Sequence, residues 1–319
     1  MRTRLAPSPT GALHLGNART FLVNWALARQ RGWTVVLRIE DLDGPRVKEG
    51  ADAEAIDILQ WLGLDWDEGP FYQLDDLSAY HEALQQLAKR SYLYPCRCTR
   101  AEIIQANLSA PHGDDHELRY PGTCRPDERN TSASYAPQPD VAWRVRTPAG
   151  PTRFDDEFAG GHSYDVQAAV GDFIVADKRG LPSYQLAVVV DDSRQRIDCI
   201  VRGDDLLSST HRQRLLQRRL EMNGTTQYWH LPLVVGEDGR RLAKRHGDSR
   251  IAKYRSDGAS PNRVIGLLAE WCGVGPRAEM TAGDFLSQFR LDRVPHTPII
   301  YRRSDDEWLL GGGLPHRYV

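Results

Sequence analysis

Four short stretches of this chain carry residues whose types and spacing can do chemistry. The first is Pro7-Ser8-Pro9-Thr10-Gly11-Ala12-Leu13-His14-Leu15-Gly16-Asn17, a loop that runs into a helical pattern. His14 and Gly16 fall at the expected helix start, where free backbone N–H groups and the positive dipole end favour a phosphate. Gly11 and Gly16 permit close backbone approach, and His14 can donate a hydrogen bond to a charge-rich transition state. The spacing matches neither G-x-x-x-x-G-K-S/T nor G-x-G-x-x-G, so a generic dinucleotide site is only weakly indicated. The second stretch, Arg38-Ile39-Glu40-Asp41-Leu42-Asp43, sets carboxylates where they commonly grip a ribose hydroxyl or an ammonium. The third, Gly239-Arg240-Arg241-Leu242-Ala243-Lys244-Arg245-His246-Gly247, is a basic loop. Alone, such a run is ordinarily solvated surface. Paired with a phosphate-cradling helix start it becomes a clamp for a triphosphate, with Lys244 neutralising the charge that develops as pyrophosphate leaves. The fourth is the trio Cys96, Cys98 and Cys124, three thiolates of a tetrahedral metal site that needs one more ligand. His112 and His116 are rival fourth ligands on chemical grounds.

These residues need elements to hold them. A short strand over Thr3–Ala6, a helix through about Arg31 closed by Gly32, and a strand over Trp33–Ile39 make a βαβ unit, so the expected fold class is α/β with a parallel sheet. Helices are expected at about Ala51–Leu62 and Asp76–Ser91. Residues from about 92 to 165 change character and read as an insertion holding the cysteines. Strands are expected at Phe173–Ala176 and Tyr184–Val190, joined by the turn Lys178-Arg179-Gly180, and again at Ile197–Val201 and Leu231–Val235. A basic helix is expected over Ser209–Leu220, either a tRNA-facing patch or a solvated face. From about Ile251 the pattern is helical, most clearly at Val264–Trp271. Cys199 and Cys272 stand in apolar surroundings and read as core.

Composition narrows the class. The 319 residues carry 41 Lys+Arg against 43 Asp+Glu, a formal net charge of −2, so a protein that coats nucleic acid non-specifically is excluded and any such contact must be local. Five of the cations are Lys (48, 89, 178, 244 and 253), which makes each easier to weigh. No segment approaches the roughly 18–20 apolar residues that cross a bilayer, and no apolar signal region opens the chain. A cytoplasmic protein with no membrane partner is expected.

Taken together the motifs resemble class I aminoacyl-tRNA synthetases in their glutamyl form. His14-Leu15-Gly16-Asn17 is similar to the first signature of that class, "HIGH", and Arg241-Leu242-Ala243-Lys244-Arg245 to the second, "KMSKS". Leu37–Asp43, Leu181–Ala187, Val190-Asp191-Asp192 and Val201–Asp205 resemble glutamyl-tRNA synthetase segments in the same order. The resemblance covers roughly the first 250 residues and implies a Rossmann-type catalytic domain over 1–250, interrupted by the insertion, with a short helical region over 251–319. It implies glutamate-binding roles for Arg4, Ala6, Ser8, Glu40, Tyr184 and Arg202. His14, Gly16, Asn17 and Lys244 would serve ATP with Mg²⁺, and His14 and Lys244 would be catalytic. It also implies a structural Zn²⁺ on Cys96, Cys98, Tyr120 and Cys124. The second signature departs from the family pattern, with Arg241 for its first Lys and Ala243 for its usual Ser.

Only about 70 residues follow the Lys244 loop, where a full glutamyl-tRNA synthetase continues into a long anticodon-binding region. The chain therefore resembles the short glutamyl-Q branch of the family. Members of that branch activate L-glutamate without tRNA and attach it to the queuosine of tRNA(Asp). A monomer without an anticodon-binding domain is expected. Competing readings are a truncated synthetase charging the 3′ end of tRNA(Glu), and an inactive zinc-stabilised RNA-binding paralogue. For single residues, Tyr184 could be core, and Arg202 could pair at the surface with Asp204.

Overall fold

In a computed structural model, which describes residues 1–42, 44–108, 118–127, 134–222, 224, 226–240, 242 and 249–311, the N-terminal βαβ unit forms as expected. Strand β1 (Arg2–Leu5) feeds helix α1 (Leu15–Arg31), which stops at Gly32 in the left-handed conformation and returns through β2 (Thr34–Ile39). After α2 (Ala51–Trp61), β3 (Glu68–Tyr72) joins the far edge of β2, and all three strands run parallel. Then come α3 (Ser78–Lys89), β4 (Leu93–Cys96), α4 (Arg100–Leu108) and β5 (Ala142–Val145). A hairpin of β6 (Thr152–Asp156) and β7 (Gly160–Tyr164) precedes α5 (Val166–Ala169) and β8 (Phe173–Ala176). Helix α6 (Tyr184–Arg194), β9 (Cys199–Gly203), α7 (Leu207–Arg219), β10 (Gln227–Leu231) and β11 (Val234–Val235) follow. The remainder is α8 (Ile251–Ser256), α9 (Pro261–Glu270), α10 (Ala282–Gln288), β12 (Ile299–Ile300) and α11 (Arg303–Leu309).

Strands β9 and β10 pair in parallel, and β9 runs beside β1, where Asp198 N–H donates to Arg2 O at 3.1 Å. The strand order is therefore β3, β2, β1 on one side and β9, β10 on the other. The chain switches direction of travel between β1 and β9, and an open α/β sheet binds its ligand at such a point. Side-chain alternation divides the two faces. Leu37, Val201 and Trp229 join the core beneath α1 and α9, whereas Val36, Ile200 and Tyr228 pack with Phe154 on the opposite face. Inside α1, Asn24 ties the helix to β1, accepting from the Thr3 hydroxyl at 2.8 Å and donating to Arg4 O at 2.9 Å.

The structure corrects one element. Tyr184–Val190, expected as a strand, is the first two turns of α6. Leu186 to Asp192 are all buried, so the helix shows no polar stripe, and a buried helix with a β-branched run cannot be told from a core strand by periodicity. Two boundaries also differ. The expected strand Leu231–Val235 is two strands, β10 and β11, broken at Pro232-Leu233. In the cysteine-bearing segment β4 pairs antiparallel with β5, and β5 in turn with β8, which lies beyond residue 165. The C-terminal region is helical as expected, and Val264, Leu268 and Leu309 share one core with Leu5 and Leu22 of the first unit.

Candidate active site

A cleft of about 440 Å³ opens at the switch point between β1 and β9. Arg4 comes from β1, Ala6 and Ser8 from the loop after it, Glu40 from the end of β2, Tyr184 from the start of α6 and Arg202 from β9. His14, Gly16 and Asn17 form the opposite wall at the α1 N-terminus. His14 is the N-cap, its Nδ1 accepting the Asn17 N–H at 3.4 Å, and a Cβ at Gly16 would sit 3.3 Å from the imidazole. Lys244 lies outside the described residues, as do Asp43, Arg241, Ala243, Arg245 and His246. The described chain returns at Ser249, whose carbonyl accepts Leu15 N–H at 3.1 Å, and Arg250 bridges His14.

The charges in and under this cleft are arranged in two ways. Arg38 donates to Asp192 Oδ1 at 2.8 Å and to Glu40 at 3.1 Å, while Arg4 Nε lies 3.4 Å from the same Asp192 oxygen. Burial pulls the Arg4 pKa down and pushes Glu40 up, while Asp192 and Glu40 hold Arg38 firmly charged against its own burial. Arg202 is also buried, at 5% exposure, but its partners differ. Its Nε donates to His230 Nε2 at 3.0 Å, and its Nη2 donates to Thr210 Oγ1 and Gln213 Oε1, each at 2.8 Å. Among the described residues its Nη1 has no hydrogen-bond partner, and it makes no ion pair with Asp204. Tyr184 is 41% exposed and lines the cleft, so it is not a core residue.

Residues 1–299 match the family model described as tRNA synthetases class I (E and Q), catalytic domain. The chain belongs to this family. It is 43% identical over 309 residues to a glutamyl-Q tRNA(Asp) synthetase of Symbiobacterium thermophilum, covering 93% of this chain and 94% of that one. It is 42% identical over 310 residues to a protein of the same name from Rhodopirellula baltica, covering 94% and 92%. A crystal structure of a glutamate tRNA ligase from Elizabethkingia meningosepticum, in complex with its amino acid, superposes with a TM-score of 0.78 at 25% identity, over 97% of this chain and 68% of that one.

In this synthetase a second cluster lies away from the cleft. The sulfurs of Cys96, Cys98 and Cys124 lie within 4.8 Å of one another and can hold a metal ion. None is in a disulfide. The Tyr120 oxygen accepts Cys124 N–H at 2.8 Å and stands 3.6 Å from Cys96 Sγ. Arg144 donates from Nε to Cys96 Sγ at 3.2 Å, and its guanidinium lies 3.6 Å over the Tyr120 ring. Burial opposes the Cys124 thiolate, but the Arg97 N–H and bonds from Tyr120 and Cys98 outweigh it and bring the thiol down to about 7. Three sulfurs, a phenol and a buried cation fit a divalent thiophilic metal. His112 and His116 lie outside the described residues.

Sequence reasoning missed the groups around Arg202. Asp156, Thr210, Gln213 and His230 come from β6, α7 and β10, and only the β9–β10 register, which sets Arg202 opposite His230, brings them together. The one trace in the sequence is a His inside the apolar strand Tyr228-Trp229-His230-Leu231. The basic helix α7 is neither of the expected things over most of its length. Thr210, His211 and Arg212 are buried, and Arg219 lies 4.2 Å over Tyr92, leaving Arg218 exposed.

Proposed function

We propose that this chain activates L-glutamate with ATP, without tRNA, and then transfers the glutamyl group to the queuosine base of tRNA(Asp). The observation that carries the reading is a buried guanidinium, Arg202, with one nitrogen unpartnered in a cleft at the switch point. A substrate with two carboxylates and one ammonium needs cations and an anion, and an Arg fork suits a carboxylate best. In this reading Arg202 takes the side-chain carboxylate and Glu40 the ammonium, while Arg4, Ala6, Ser8 and Tyr184 complete the pocket. His14, Gly16, Asn17 and Lys244 serve the triphosphate, which binds as its Mg²⁺ complex.

No covalent nucleophile is required; catalysis is positioning and charge stabilisation. An oxygen of the α-carboxylate attacks the α-phosphorus, the bond to the bridging oxygen breaks, and pyrophosphate leaves with that electron pair. His14 and Lys244 stabilise the charge as it develops. A hydroxyl of the queuosine cyclopentene ring then attacks the adenylate carbonyl, forming an ester and releasing AMP and a proton. Cys96, Cys98, Tyr120 and Cys124 would hold Zn²⁺, which there supplies a structural cross-link. In the proposed organisation residues 1–250 carry catalysis, the segment at about 92–165 carries the metal cluster, and 251–319 is a short C-terminal region whose α9 and α11 pack in one core with α1. The chain would act as a cytoplasmic monomer; no described helix is long and apolar enough to cross a membrane.

Two measurements test this. Glutamate-dependent exchange of pyrophosphate into ATP is expected with no tRNA present, and a flat result would point to an RNA-binding paralogue. Labelled glutamate is expected to enter queuosine-containing tRNA(Asp) and not its queuosine-free counterpart. Uptake that persists without queuosine, or label at the 3′ end of tRNA(Glu), overturns the transfer step.

A further inference from the structure

Arg202 and His230 are register partners on the adjacent parallel strands β9 and β10, so their side chains leave the sheet on the same face. The imidazole is fully buried, and its two nitrogens have opposite duties. Nδ1 lies 2.6 Å from Asp156 Oδ2. Asp156 is itself fixed, because its other oxygen accepts the backbone N–H groups of Phe158, Ala159 and His230. An ionised carboxylate only accepts, so Nδ1 carries the proton. At the other end a guanidinium only donates, so Nε2, 3.0 Å from Arg202 Nε, must offer a lone pair. Both neighbours demand the same neutral tautomer. Burial and the positive charge of Arg202 disfavour the imidazolium, against the pull of Asp156.

The remaining partners of Arg202 are also uncharged. Thr210 and Gln213 each accept from Nη2, and Gln213 is in turn oriented through its amide N–H to Gln185 Oε1 at 3.0 Å. A carboxylate in any of these places would orient the guanidinium equally well, but it would also neutralise it, as Asp192 and Glu40 do for Arg38. We infer that His230, held by Asp156 and assisted by Gln213, is a positioning residue that aims Arg202 without cancelling its charge, and so sets the preference for glutamate over glutamine. This rests on the reading that Arg202 receives the substrate's side-chain carboxylate. With neutral holders, an arriving carboxylate meets a full positive charge in a site of low dielectric. An amide meets a donor fork with its own donors and gains much less.

Two isosteric changes test the claim in glutamate-dependent pyrophosphate exchange. His230→Asn keeps a donor for Asp156 and removes the acceptor from Arg202, whereas His230→Gln places an oxygen near the old Nε2. Asn is expected to raise the glutamate KM about tenfold, with the ATP KM within twofold, and to cut the glutamate-to-glutamine ratio of kcat/KM by a similar factor. Gln is expected to restore most of both. Gln213→Glu leaves the histidine intact and adds a carboxylate beside Nη2; it is expected to raise the glutamate KM at least tenfold. Arg202→Ala runs alongside as a check on the underlying reading. If Arg202→Ala loses glutamate binding while His230→Asn and Gln213→Glu keep wild-type KM and discrimination, the positioning role is wrong and the reading of Arg202 survives. If Arg202→Ala itself binds glutamate normally, both fall. Should His230→Asn fail to fold, a wild-type glutamate KM in Gln213→Glu still overturns the inference.

Discussion

Two buried guanidinium sites stand on either side of β1, and they are built in opposite ways. Under β2, Arg38 and Arg4 share Asp192, with Glu40 as a second acceptor for Arg38, and Asp191 is held nearby by Tyr80 and Gln73. Beside β9, the partners of Arg202 among the described residues are neutral acceptors, and its Nη1 has none of them. The first site pairs its charges within the chain and fastens β2 to α6, although Arg4 Nε and Arg38 Nε also lack hydrogen bonds there. The second has no charged partner among the described residues, which suits the proposed role of receiving a substrate carboxylate. Burial alone therefore does not separate the two sites; the charge of the partners around each guanidinium does.

The largest effect that tests this contrast is on stability. Asp192→Asn leaves Arg38 and Arg4 buried with half of their compensation gone, and breaking such a buried pair costs about 3–5 kcal/mol. Chemical denaturation should show that loss. A variant within about 1 kcal/mol of wild type would mean that the ionic site is not what fastens α6. Arg202→Ala should behave in the reverse sense. It removes a charge with no anionic partner, so the folded state suffers less, while kcat/KM for glutamate falls about 10²-fold, as truncating one partner of a desolvated charged pair does. Equal losses of stability in the two variants would erase the distinction.

How much of this was legible beforehand follows the distance over which each feature is built. The βαβ unit, the His14 helix start, Gly32 and the cysteine trio are local, and the sequence alone located them. The residues of the cleft were placed by resemblance to a family, and the structure brings Arg4, Ala6, Ser8, His14, Gly16, Asn17, Glu40, Tyr184 and Arg202 to one opening. Helix α6 was misread because it is buried all round, which removes the amphipathic stripe that marks a helix. The holders of Arg202 were invisible because they depend on strand register, and a slip of one residue would turn His230 to the other face.

A smaller effect distinguishes the Arg202 side of the sheet by its response to acid. His211, next to Thr210 on α7, is buried, with Nε2 2.8 Å from His162 Nδ1 and Nδ1 2.7 Å from Thr152 Oγ1. Burial first, then His162, Arg214, Arg218 and His230, bring its pKa from 6.5 down to about 4. A histidine depressed on folding lends its full stability above the unfolded value of 6.5 and loses it as the pH falls toward 4. Between pH 7 and pH 5 the loss amounts to about 2 kcal/mol. Urea titrations at the two pH values should show it, and His211→Gln should flatten the difference. If His211→Gln keeps the full slope, the acid sensitivity belongs to other groups.

The smallest effect expected lies at the other end of the cleft and asks whether the two ends are independent. At Gly16 a Cβ would come within 3.3 Å of the His14 ring and 3.6 Å of Val234 Cβ. Gly16→Ala therefore nudges the imidazole by a few tenths of an ångström, while alanine is a better helix former by up to about 1 kcal/mol near the start of α1. The two contributions oppose each other, so stability should move by less than about 1 kcal/mol. The ATP KM should rise about threefold, because the displaced group is the one proposed to meet the phosphates. The neighbours of a Gly16 Cβ are His14 and Val234, not Arg202 or the groups that hold it, so the glutamate KM and the preference over glutamine should stay within twofold. A parallel loss of glutamate preference would mean that the helix start and the Arg202 cradle move together, and the separation of charge-closing and charge-offering sites would have to give way to a single coupled cleft.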